Sequence, residues 1–151
     1  MVTEIFKRTR PANLIIIALT QVLLRYTLII PFLQFSGSSS SVSHTWFLLL
    51  VLSALLIAAG GYLINDADDA AIDSINKTKI TGQEMQSALK FYGTLFLLAG
   101  VIAGFSVSFF ANMKTVWGIQ LLAAIILYNY STRIKSIPGL ASLAVSVLTA
   151  L

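Results

Sequence analysis

Residues 45–73 read TWFLLLVLSALLIAAGGYLINDADDAAID, an apolar run with no charged residue from Thr45 to Asn65 that passes straight into four aspartates. A run of about 20 apolar residues is what an α-helix needs to cross the hydrocarbon core of a bilayer. Trp46, near its start, suits the membrane–water interface. The composition of the whole chain agrees: 57% of the 151 residues are hydrophobic and 11% are charged. Soluble domains carry about 25% charged residues because their surface must be solvated. The reading is therefore an all-α, multi-pass transmembrane helix bundle. There is no cysteine, which excludes disulfides and thiolate metal sites. The net charge of +4 comes from basic residues scattered at helix ends, a pattern of membrane orientation and not of a nucleic-acid-binding stripe.

Outward from this helix, the other runs place themselves. Leu14 to Phe35, preceded by Lys7, Arg8 and Arg10, is too long for a signal peptide and ends in a Ser-rich stretch without a small-residue cleavage site. It reads as a first spanning helix that Pro31 kinks near its far end. A polar segment covers Asp66 to Lys90. A third helix is expected over Leu89 to Phe110 and a fourth over Val116 to Tyr130. A fifth apolar run starts at Pro138 and reaches Leu151 after 14 residues, short of the ~20 that span a bilayer. The expectation is four full helices plus a truncated fifth, and so a fragment of a longer chain. Lys7, Arg8, Arg10, Lys77, Lys79, Lys90, Arg133 and Lys135 fall on one side if the helices alternate, and the positive-inside rule makes that side cytoplasmic. The N-terminus and the acidic segment are then cytoplasmic, in a bacterial-type inner membrane.

Five of the six acids, Asp66, Asp68, Asp69, Asp73 and Glu84, lie in that one polar segment. If the second helix continues through it, Asp66, Asp69 and Asp73 are spaced i, i+3, i+7 and share a face, while Asp68 points elsewhere. Carboxylates stacked in this way repel, and bound protons or a cation must offset the repulsion. Oxygen ligands without His or Cys nearby favour Mg²⁺, which typically takes one or two carboxylates plus substrate phosphates. Acids after a membrane helix are most often only a solvated loop. The one-face spacing, followed by Asn76-Lys77-Thr78-Lys79 as a basic partner for phosphate, argues for a site. An EF-hand is excluded, because its sixth position would be Ala71 and its twelfth Lys77.

Asn65-Asp66-x-x-Asp69-x-x-x-Asp73 resembles the first aspartate motif of the UbiA prenyltransferase superfamily. Arg10-Pro11-Ala12-Asn13 is similar to the family's R-P-x-N at the start of helix one, and Tyr130-Ser131-Thr132-Arg133-Ile134-Lys135 to its Y-S-x-x-x-K before helix five. The resemblance covers essentially the whole chain but about the N-terminal half of a family member, without the later helices and second aspartate motif. It implies that residues 1–151 are the N-terminal portion of one UbiA-like prenyltransferase domain. It further implies that Asn65, Asp66, Asp69 and Asp73 bind Mg²⁺ and hold the diphosphate of a prenyl donor, with Asp66, Asp69 and Asp73 catalytic. Lys77, Lys79, Tyr130, Arg133 and Lys135 would contact the diphosphate, and Asn13 would lie at the headgroup end. The implied partners are a prenyl diphosphate donor, a hydrophobic lipid or aromatic acceptor, and membrane lipid. Residues 14–21 with Asn65-Asp66 are similar to bacterial members that prenylate geranylgeranylglycerol phosphate.

The competing class is a non-catalytic membrane protein, a small transporter or assembly factor, whose acids bind a cation or partner. Asp-to-Asn changes at positions 66 and 69 would then leave prenyl diphosphate binding untouched. A CDP-alcohol phosphotransferase needs D-G-x-x-A-R before its acids, and no such stretch occurs. Arg25 is the oddity, a charge about three turns into helix one, expected to snorkel or to pair across the bundle. His44 is expected to be a lone loop residue.

Overall fold

In a computed structural model the chain is described over residues 2–38, 42–75, 82–112, 114–132 and 138–150. Every regular element among them is helical: α1 (Val2–Arg8), α2 (Pro11–Leu23), a π-helical segment (Leu24–Ile29), α3 (Ile30–Phe35), α4 (His44–Ile75), α5 (Gln83–Phe110), α6 (Lys114–Thr132) and α7 (Pro138–Ala150). Three stretches are long and apolar enough to cross a membrane: Pro11–Phe35, His44–Ala70 and Gln83–Phe110. The expected fourth span is shorter, with an apolar stretch of Thr115–Tyr130.

Local chemistry explains the interruptions. Arg10 takes a left-handed conformation (φ 55°, ψ 64°), and Pro11 opens α2, the position where a missing N–H costs nothing. The kink expected from Pro31 takes the form of a π-helical turn just before it. The Ile30 N–H reaches back to the Arg25 carbonyl, five residues away instead of four. This register shift absorbs the donor that proline removes from the ladder.

The antiparallel pair of α4 and α5 is the most extensive contact, and α6 packs against both. Lipid offers no hydrophobic drive between helices, so close backbone approach and interhelical hydrogen bonds must hold them. Gly60 supplies the approach: a Cβ there would lie 2.6 Å from the Gly93 carbonyl oxygen and 2.8 Å from the Leu97 nitrogen. Seven residues nearer the start of α4, buried Ser53 donates its hydroxyl to the Gly100 carbonyl at 2.7 Å. Ile57, Ile64, Leu97 and Ala124 fill the space between the three helices.

The polar end of α4 is helical beyond the apolar run, through Ala67 and on to Ile75, and α5 begins at Gln83, six residues earlier than the sequence suggested. Both extensions are held by packing. Leu63, Ala67 and Leu89 form a buried cluster with Ile5 of α1, flanked by Met85, Ala88, Tyr92 and Phe96. Gln86 adds a hydrogen bond from its amide to the Ala67 carbonyl at 3.2 Å. Ile5 thus docks the N-terminal helix against the acidic end of α4, and this brings the basic residues 8 and 10 to the aspartates.

Candidate diphosphate site at the acidic end of the bundle

Asp66, Asp68 and Asp69 of α4 point in different directions. Asp68 turns to α5 and pairs with the Lys90 ammonium at 2.9 Å. Asp66 faces α1: its two oxygens meet Arg8 at 3.5 Å and Arg10 at 3.2 Å. Asp69, three residues on and so rotated by about 60° from Asp66, accepts a hydrogen bond from the Asn65 amide at 2.9 Å. Asn65 and Asp69 line a cavity of about 300 Å³ with Arg10, Gly61, Tyr62, Leu127 and Tyr130.

Three segments far apart in sequence therefore meet at one cavity. α4 supplies an amide and a carboxylate, the turn before α2 supplies a guanidinium, and α6 supplies a phenol. Arg10 lies 5.0 Å over the Tyr62 ring, a cation–π contact that steadies the guanidinium while it also pairs with Asp66. These ion pairs are partly exposed, with Arg8 at 32% and Arg10 at 46% side-chain exposure, so solvent screening keeps them weak.

Of the expected face of three carboxylates, Asp66 and Asp69 are described. Among the described residues no three Asp, Glu or His side chains group closely enough to hold a metal ion by themselves. The helix backbone reaches Asp73, but its side chain lies outside the described residues, as do Lys77, Lys79, Arg133 and Lys135. The oxygen donors that are described, Asn65, Asp66 and Asp69, match the hard-ligand preference of Mg²⁺, which leaves its remaining positions to phosphate and water. Tyr130 lines the cavity. Asn13 is exposed, is not among the residues lining the cavity, and closes the turn on the Arg10 carbonyl through its own N–H at 2.9 Å. The sequence reading missed Arg8 and Arg10 as partners of Asp66, and missed Tyr62. The signal for Tyr62 was its place one helical turn before Asn65.

The chain is 34% identical over 149 residues to digeranylgeranylglyceryl phosphate synthase of Methanoregula boonei, a match covering 96% of this chain and 47% of that protein. It is 31% identical over 144 residues to the same-named protein of Hyperthermus butylicus, covering 92% of this chain and 45% of the relative. A third, from Methanoculleus marisnigri, is 28% identical over 152 residues, 97% of this chain and 48% of its own. The chain thus spans about half the length of the curated relatives it matches. No family model matches it, and no solved structure does.

Proposed function

The chain belongs to the UbiA prenyltransferase superfamily, and from that premise we propose that its acidic end grips the diphosphate of a prenyl donor for transfer to a lipid acceptor within the membrane. The observation that carries this reading is the convergence of Asn65, Asp69, Arg10 and Tyr130 on one cavity beside Asp66. The relatives' product name describes a glyceryl phosphate bearing two geranylgeranyl groups. The donor we propose is accordingly geranylgeranyl diphosphate, and the acceptor a singly prenylated glyceryl phosphate.

The chemistry asks for charge stabilisation where the leaving group forms. The allylic C1–O bond breaks with its electron pair going to the diphosphate, the acceptor hydroxyl oxygen bonds to C1, and that hydroxyl passes its proton to the departing diphosphate. Arg10 would take up charge on the diphosphate, because its exposed pair with Asp66 is weak and the residue lines the cavity. Lys77, Lys79, Arg133 and Lys135 add positive charge on the segments that follow α4 and α6 in the chain. Asn65, Asp66, Asp69 and Asp73 would hold Mg²⁺, which when bound supplies further neutralisation of the diphosphate. Tyr130 orients the donor through its phenol. The apolar helices shelter the prenyl chain and the cationic carbon from water. The positive-inside rule sets this end of the bundle on the cytoplasmic side.

The test is a calorimetric titration of geranylgeranyl diphosphate into the chain in lipid nanodiscs, with and without Mg²⁺. Saturable binding that disappears with EDTA is expected. Binding indifferent to Mg²⁺, or none at all, argues for the non-catalytic reading instead.

A further inference from the structure

At the opposite end of the bundle, Arg25 is only 7% exposed. Its Nη2 donates to the Val42 carbonyl at 2.7 Å, and its guanidinium carbon lies 4.4 Å over the Phe47 ring and 5.9 Å from the Tyr26 ring centre. A guanidinium carries five N–H donors. Among the described residues, the hydrogen bond to Val42 is the one it makes, and Nε is buried with no partner. Such a charge in a low-dielectric setting calls for an anion.

Within residues 1–151 no acid stands near Arg25 in sequence. The six acids stand at positions 4, 66, 68, 69, 73 and 84, with none from residue 5 to 65 and none after 84. Asp66 lies about 33 Å along α4 from His44, at 1.5 Å per residue. The depth of Arg25 suits an external anion. Tyr26 hydrogen-bonds and stacks with His44, and Trp46 stacks on Phe110 at 6.1 Å. Aromatic rings gathered at one level mark the membrane interface, so Arg25 sits at headgroup depth and not at mid-bilayer.

Arg25 also separates two adjoining cavities of different character. One, about 380 Å³, carries the polar side chains of Gln34, Ser38, Ser43 and His44 among the apolar Ile30, Leu33 and Val42. The other, about 370 Å³, is an apolar groove along Leu24, Ile29, Phe47 and Leu50. The span that carries Arg25 is open on its outer side, with 6% of its apolar window buried. We propose that Arg25 seats the phosphate of an anionic membrane phospholipid, its headgroup in the polar cavity and an acyl chain along the apolar groove. Two cavities that share Arg25 and Val42 in their linings fit a lipid's phosphate and acyl chain, where a free phosphate would need the first cavity alone. The assignment is independent of prenyl transfer at the other end.

Native mass spectrometry of the delipidated chain with dioleoyl phosphatidylglycerol tests it. One retained lipid per chain is expected, with affinity falling at least about tenfold in R25Q as the phosphate contact is lost. L50W, which fills the groove and leaves Arg25 in place, should weaken retention as well, and decides the matter alone if R25Q fails to fold. Dioleoylglycerol, with the same chains and no phosphate, should not be retained, and inorganic phosphate should not displace the lipid. Unchanged retention in a folded R25Q or in L50W overturns the proposal. Equal retention of dioleoylglycerol, or displacement by phosphate alone, overturns it too.

Discussion

Replacing Gly60 by alanine adds one methyl group at the crossing of α4 and α5, where no side chain can move aside. The new Cβ would meet the Gly93 carbonyl oxygen at 2.6 Å and the Leu97 nitrogen at 2.8 Å, both backbone atoms. Ordinary contact begins near 3.4 Å, so the helices must part by about 0.8 Å, and overpacking of this kind costs roughly 1–3 kcal/mol. The displacement would also stretch the 2.7 Å hydrogen bond from Ser53 to Gly100. Gly118→Ala is the control. It lies in α6 with nothing within 4 Å of its would-be Cβ, and alanine there gains roughly 0.5–1 kcal/mol of helix propensity. Thermal unfolding of both variants in the same detergent should show G60A less stable than the parent and G118A at least as stable. A G60A protein as stable as G118A would refute the account of the α4–α5 contact.

Three further outcomes follow from the geometry. A Cβ on Gly104 would occupy the place of the Gln120 amide oxygen, which is buried without a hydrogen-bond partner among the described residues. G104A should therefore destabilise, and Q120A should suppress much of that loss, a coupling of about 0.5–3 kcal/mol in a double-mutant unfolding cycle. Arg10→Gln removes the guanidinium from the cavity and one partner of Asp66, and should weaken geranylgeranyl diphosphate binding by about tenfold or more, the scale of a lost charge-assisted contact. Lys90→Gln breaks the Asp68 pair, whose lysine is half exposed. It should change the unfolding free energy by about 1 kcal/mol or less and leave diphosphate binding as it was.

The sequence announced the membrane helices because apolar runs of spanning length have no other common use. Pairing was less visible. Gly60 and Gly93 are 33 residues apart, and nothing local to either says which backbone it will touch. The acidic motif has the spacing of a helix that continues past the apolar run, and α4 does continue, yet the partners of Asp66, Asp68 and Asp69 are set by neighbours. α1, only seven residues long, went unread because its helix rests on Ile5 packing against Leu63 and Leu89, and so the partners of Asp66 went unread with it. Arg25 looked like a charge in mid-membrane because its helix was measured from its own ends. The neighbouring α4 offers a second reference, since its first turn, at His44, stands beside Tyr26. For the same reason His44, taken as a lone loop residue, proves to open α4 with Tyr26 as its partner.

The most direct test of the account compares Asp69→Asn with Asp68→Asn, adjacent residues and identical chemical changes. Asp69 lines the cavity with Arg10 and Tyr130, whereas Asp68 faces α5 and Lys90. Mg²⁺-dependent binding of geranylgeranyl diphosphate in nanodiscs should fall at least about tenfold in D69N and stay near the parent value in D68N. Equal losses in the two variants, or binding untouched by D69N, would contradict a diphosphate site in this cavity.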